Sequence, residues 1–86
     1  MSPEAQGRRV RARLDVLEQS DKWLAEQIGE TQPQMSRMLN GERKGGLTPI
    51  DAWRIARATG LTELYILYGD RQLLAPDVLR SLPPDD

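Results

Sequence analysis

The side chains between Ser20 and Gly41 can make directed polar contacts, while little in the chain can make or break covalent bonds. Gln32, Gln34, Ser36 and Arg37 fall within six residues of one another. Gln presents a donor beside an acceptor, and Arg presents a planar fork of donors, so each can hold a flat polar partner at two points. Lys22, Arg43 and Lys44 add positive charge on either side. Other chemistries are poorly supplied. Cys and His are absent, which removes disulfides, thiolate or imidazole metal ligands, and histidine-based acid–base or nucleophile activation. The Gly41–Gly46 loop contains Lys44 but lacks the Gly-Lys-Ser/Thr ending and the preceding strand of a phosphate loop. Asp85-Asp86 is a terminal acidic pair with no cage around it. The reading is a protein that is not an enzyme and carries no metal or other cofactor.

These side chains need a scaffold, and the composition points to helices. At 86 residues the chain is one small domain, barely long enough to bury a core alone. Leu is frequent, Phe is absent and Val and Ile are few, so helix formers outweigh strand formers. A first helix is expected from Pro3 to Glu18, capped by Ser2, with Val10, Leu14 and Leu17 as its apolar stripe and Gly7 as a weak point. Ser20 caps a second helix that faces Leu24, Ala25 and Ile28 inward and stops at Gly29. Thr31 caps a third, with Pro33 in its first turn and Met35, Met38 and Leu39 toward the core. It ends at Asn40-Gly41. Thr48-Pro49-Ile50-Asp51 is the strongest helix start in the chain. That fourth helix turns Ala52, Ile55, Ala56 and Thr59 inward and ends at Gly60. Thr62 caps a short fifth helix through Tyr68. Trp53, Tyr65 and Tyr68 read as core or core-rim residues.

The pair of short helices between Ser20 and Gly41 is the informative unit. Ala25 is small enough for the two helices to approach closely, Gly29 supplies a left-handed turn, and Leu24, Ile28, Met35 and Met38 are apolar where the helices would pack. This is the sequence form of a helix-turn-helix. The segments Leu24-Ala25-Glu26-Gln27-Ile28-Gly29, Thr31-Gln32 and Ser36-Arg37-Met38-Leu39-Asn40-Gly41 resemble the phage-repressor and Cro-like (XRE-type) helix-turn-helix family. The likeness continues through Ile55-Ala56-Arg57-Ala58-Thr59-Gly60 and covers roughly residues 10–69. The resemblance implies an all-α, five-helix lambda-repressor-like bundle, with the third helix in the major groove of double-stranded DNA and a two-fold dimer on a palindromic operator. Side chains at the start of such a helix face base edges. Here those are Gln32, Pro33, Gln34, Ser36 and Arg37. Gln pairs with adenine and Arg with guanine, and Gln32 and Arg37 match the family's base-reading positions. Pro33 falls on another such position without a polar side chain. Phosphate contacts are expected from Ser20, Lys22, Thr31, Asn40, Arg43 and Lys44. Asp21 occupies a position often filled by Gln in the family, where an acid repels phosphate.

The formal charge of −1 suits a DNA binder poorly, but its distribution suits one better. Residues 31–57 hold five basic side chains against two acidic ones, and residues 61–86 hold two against five. Arg8, Arg9, Arg11 and Arg13 are spread around the first helix and read as a solvated face. The longest apolar run, Leu64–Tyr68, is far short of a membrane span, and the Arg-rich N-terminus is not a signal peptide, so a cytoplasmic protein is expected. The helix-turn-helix domain is placed at 1–70 and a tail at 71–86, with one or two helical turns over Pro76–Leu82. Leu64, Tyr68, Leu73, Leu74, Val78 and Leu79 are expected to form a homodimer surface. The function expected is a DNA-binding transcriptional regulator that represses by operator occupancy. The rival reading is a protein-interaction module of the same fold, for example an antitoxin acting through a protein partner, with little DNA readout.

Overall fold

Helix starts set the architecture. In five places a Ser or Thr hydroxyl accepts the amide three residues ahead: Ser2 from Ala5, Ser20 from Trp23, Thr31 from Gln34, Thr48 from Asp51 and Thr62 from Tyr65, at 3.1–3.3 Å. Each bond satisfies one of the amides that a helix start leaves without an acceptor. Asp51 also accepts the Thr48 amide at 3.1 Å, which completes a capping box. The computed structural model describes residues 2–84 and contains six helices: α1 Pro3–Leu17, α2 Asp21–Ile28, α3 Gln32–Leu39, α4 Pro49–Thr59, α5 Glu63–Tyr68 and α6 Pro76–Ser81. No strand forms among the described residues, so the fold class is all-α. None of these helices is long and apolar enough to cross a membrane.

The layers follow from the apolar stripes. α1 lies against α3, α4 and α5; α2 packs on α3 and α4; and α4 packs on α5. Val10 and Leu14 of α1, Leu24 and Ala25 of α2, Met35, Met38 and Leu39 of α3, Ala52 and Ile55 of α4, and Tyr65 and Ile66 of α5 share one buried cluster. Gly7 sits where α1 crosses the end of α3. A Cβ placed there would lie 1.8 Å from the Leu39 carbonyl oxygen. The expected weak point of α1 is therefore the place where two backbones touch.

Four expectations are corrected. The bundle has six helices instead of five, because the turns expected over Pro76–Leu82 form as α6 and join the bundle. Leu74, Val78 and Leu82 from that tail are buried in the same core as the first five helices. Leu74 and Val78 are thus unavailable for the dimer surface expected of them, whereas Leu73 and Leu79 point outward. α1 closes where expected, with a left-handed Glu18 as its C-cap. Finally, the Arg cluster of α1 is only partly solvated. Arg9 is 3% exposed and donates to the Ile66 carbonyl at 3.1 Å. Arg13 donates to the Thr59 carbonyl at 2.7 Å and to the Ser81 hydroxyl at 3.3 Å. Gln6, also buried, donates to the Leu67 carbonyl and accepts the Leu47 amide. These side chains satisfy carbonyls at the ends of α4 and α5, where positive charge also complements the helix dipole. Arg8 remains exposed. Trp53, expected at the core or its rim, is 48% exposed and lies under the Arg57 guanidinium.

Candidate nucleic-acid interface

α2 and α3 hold the candidate side chains. The two helices are joined by the short Gly29–Thr31 connection, in which the Glu30 amide donates to the Ala25 carbonyl at 2.8 Å. The buried stripe Met35, Met38 and Leu39 fixes the rotation of α3 about its axis. Residues on the opposite face are therefore held outward by the core beneath them. Gln32, Pro33 and Arg37 are exposed there, and Gln34 is half-buried. Neither Gln32 nor Arg37 is tied up by a side-chain partner among the described residues. Arg37 and Gln34, together with Met38, Glu42 and Arg43, line a shallow groove of about 250 Å³ between α3 and the loop that follows it.

Ser36 stands apart from this set. It is half-buried, and its hydroxyl donates to the Asp21 carboxylate at 3.3 Å. That carboxylate is also held by Arg11, whose Nη2 lies 2.8 Å from Oδ2. The other Arg11 nitrogen, Nη1, donates to Asn40 Oδ1 at 2.7 Å. Arg11 thus joins the first residue of α2 to the residue that ends α3. It also sets a positive charge against Asp21, the one acid expected to repel a phosphate at the start of α2. The sequence reading missed this role. The spacing of four arginines on one helix carries no signal of which of them meets a carboxylate from a different helix.

The expected phosphate-contacting groups divide in two. Lys22 and Lys44 are exposed and form no ion pair among the described residues. Ser20 and Thr31 are exposed, with their hydroxyl oxygens already accepting cap bonds. The first-turn amides of α2 and α3 beyond those caps have no intrahelical acceptor. Asn40 is exposed, but its Nδ2 donates to Glu42 at 3.2 Å while its Oδ1 is held by Arg11. Arg43 is half-buried and forms a salt bridge to Asp51, the same carboxylate that closes the α4 capping box. Its charge is committed to holding the loop onto α4.

The resulting surface is an outward face of amide and guanidinium groups, flanked by two mobile-stemmed ammonium groups and by helix-start amides. It can hydrogen-bond planar polar edges and attract anions. No cluster of three acidic side chains converges as a metal site would among the described residues. No family model matches this chain, and no curated protein or solved structure is significantly similar to it.

Proposed function

We propose that the chain is a sequence-specific double-stranded DNA-binding transcriptional regulator of the phage-repressor and Cro-like helix-turn-helix type, and that it represses by occupying its operator. α2 and α3 are the two helices of the motif, with α3 entering the major groove. The observation that carries this reading is the outward face of α3: Gln32 and Arg37 stand exposed on a helix whose rotation is fixed by Met35, Met38 and Leu39. In that role Arg37 pairs with guanine and Gln32 with adenine. Pro33 makes apolar contact, and Gln34 borders the groove edge. Lys44 and Lys22 meet phosphates on either side of the motif, and the α2 amides approach a third phosphate past an Asp21 that Arg11 neutralises. Ser36 acts through Asp21, to which its hydroxyl donates.

Selection of bound duplexes from a random DNA library tests the proposal, with Arg37→Ala as the control. Enrichment of a motif by the wild type, with one position of that motif relaxed in the variant, supports it. A folded wild-type protein that enriches nothing refutes it and leaves the chain as a protein-interaction module.

A further inference from the structure

The end of α2 and the second half of α4 border a cleft of about 370 Å³, lined by Gln27, Ile28, Trp53, Arg54, Arg57 and Ala58. That volume falls in the range of small-molecule sites. The groove beside α3 holds Glu42, and the groove between α4 and α5 holds Glu63. This cleft is lined by two cations and no carboxylate.

Arg54 and Arg57 stand at the i, i+3 spacing that puts them on one face of α4. Both are exposed, and neither makes a hydrogen bond or an ion pair among the described residues. Arg57 is nevertheless held in place, because its guanidinium carbon lies over the Trp53 ring, 4.9 Å from the centroid. A guanidinium on an aromatic face keeps its N–H fork for an anion.

Charge and shape together specify the occupant. A phosphate monoester near neutral pH carries about −1.5 to −2 charges and three acceptor oxygens, enough for both forks. A carboxylate carries a single charge and serves one fork. The remaining walls suit a ring. The Trp53 indole and the half-buried Ile28 and Ala58 supply flat and apolar surface, and the exposed Gln27 amide sets a donor beside an acceptor.

We propose that the α2–α4 cleft binds a phosphate monoester carrying a flat heterocyclic ring, the chemistry of a nucleoside monophosphate. Arg54 and Arg57 hold the phosphate, Trp53, Ile28 and Ala58 hold the ring, and Gln27 meets the polar edge of that ring. The cleft is independent of DNA reading, since neither Gln32 nor Arg37 lines it.

The test is a heteronuclear NMR titration of the full chain with adenosine monophosphate, and separately with adenosine and with inorganic phosphate. Saturable shifts are expected at Gln27, Ile28, Arg54, Arg57, Ala58 and the Trp53 indole N–H, with Gln32 and Arg37 unmoved. Adenosine and inorganic phosphate are each expected to bind about tenfold more weakly or worse, because one lacks the charge and the other the stacking ring. Arg54→Ala, at an exposed position, is expected to weaken nucleotide binding about tenfold with an unchanged far-ultraviolet circular dichroism spectrum. Arg54→Lys, which keeps the charge and loses the fork, is expected to recover only part of that loss. A short terminally phosphorylated single strand distinguishes the two sources of this chemistry: affinity equal to that of the nucleotide supports a strand end as the occupant, and weaker binding supports a free nucleotide. The absence of saturable shifts overturns the proposal. So do shifts centred on the α3 face, full affinity in Arg54→Ala, or inorganic phosphate that binds as tightly as the nucleotide, which would mark an adventitious ion only.

Discussion

Replacing Gly7 by Ala separates an argument from helix propensity from an argument from packing. On propensity alone, Gly→Ala inside a helix stabilises by about 1 kcal/mol. The structure reverses the sign. The new methyl would sit 1.8 Å from the Leu39 carbonyl oxygen and 2.6 Å from its carbon. An ordinary carbon–oxygen contact is about 3.3 Å or more, so α1 and α3 must separate by roughly 1 Å or more. Neither partner atom belongs to a flexible side-chain tip that could swing away. Opening the seam by that distance forfeits a quarter to a half of each dispersion contact across it, among Val10, Leu14, Met35 and Leu39. Overpacking of this kind costs about 3 kcal/mol, the upper end of the usual range. Set against the propensity gain, the net loss is about 2 kcal/mol. For a domain of this size that lowers Tm by roughly 8–16 °C. Thermal unfolding followed by circular dichroism, with urea unfolding in parallel, measures it. An unchanged or higher Tm for Gly7→Ala would show that the α1–α3 contact does not limit stability and would refute the reasoning.

Other outcomes follow from the same contacts. Arg37→Ala and Gln32→Ala should each cost about 1–3 kcal/mol on the selected duplex and relax one base position, whereas Lys44→Ala should weaken binding to all duplexes alike and reduce the salt slope by about one unit; competition binding at several salt concentrations separates the two patterns. Arg11→Ala should weaken duplex binding by about 1 kcal/mol, the scale of a half-exposed ion pair, and adding Asp21→Asn should restore it. No recovery in the double variant would mean that Arg11 acts by holding Asn40, not by cancelling charge. Leu74→Ala should destabilise the isolated monomer by about 2–4 kcal/mol, as a buried truncation does; urea unfolding at the lowest workable concentration tests this, and a near-neutral result would place the tail outside the core.

Local chemistry made much of this fold legible in the sequence. Ser20, Thr31, Thr48 and Thr62 are caps because a short hydroxyl side chain reaches the amide three residues ahead, and that depends on no other part of the chain. The inward stripes of α3 and α4 were equally readable, since helical periodicity alone orients Met35, Met38, Leu39, Ala52 and Ile55. The exposure of Gln32 and Arg37 came with them. What stayed hidden depends on partners far along the chain. Arg9 and Gln6 are polar by type yet buried, because carbonyls at the end of α5 happen to need donors there. Gly7 reads as a propensity defect until the end of α3 is seen against it. Leu74 and Val78 read as a greasy tail, and nothing in their spacing says whether the core beneath them or another molecule covers them. The Arg11–Asp21 pair is illegible for the same reason: sequence spacing orders residues on one helix and is silent between helices.

The anchoring of α1 also bears on when the chain can fold. The carbonyls that receive the Arg9 and Gln6 side chains belong to Ile66 and Leu67, 57 and 61 positions later. During synthesis, α1 leaves the ribosome before the Ile66 and Leu67 carbonyls that receive these side chains have been made. Docking that arginine early would bury its charge without the Ile66 acceptor, which is costly. The α1–α5 contacts are therefore expected to form only after α5 has been made. Chains stalled before residue 66 are expected to leave the apolar stripe of α1 more open to proteases, which limited proteolysis of truncated chains would measure. The buried arginine thus ties the first helix of the chain to a carbonyl near the end of α5, across most of the sequence.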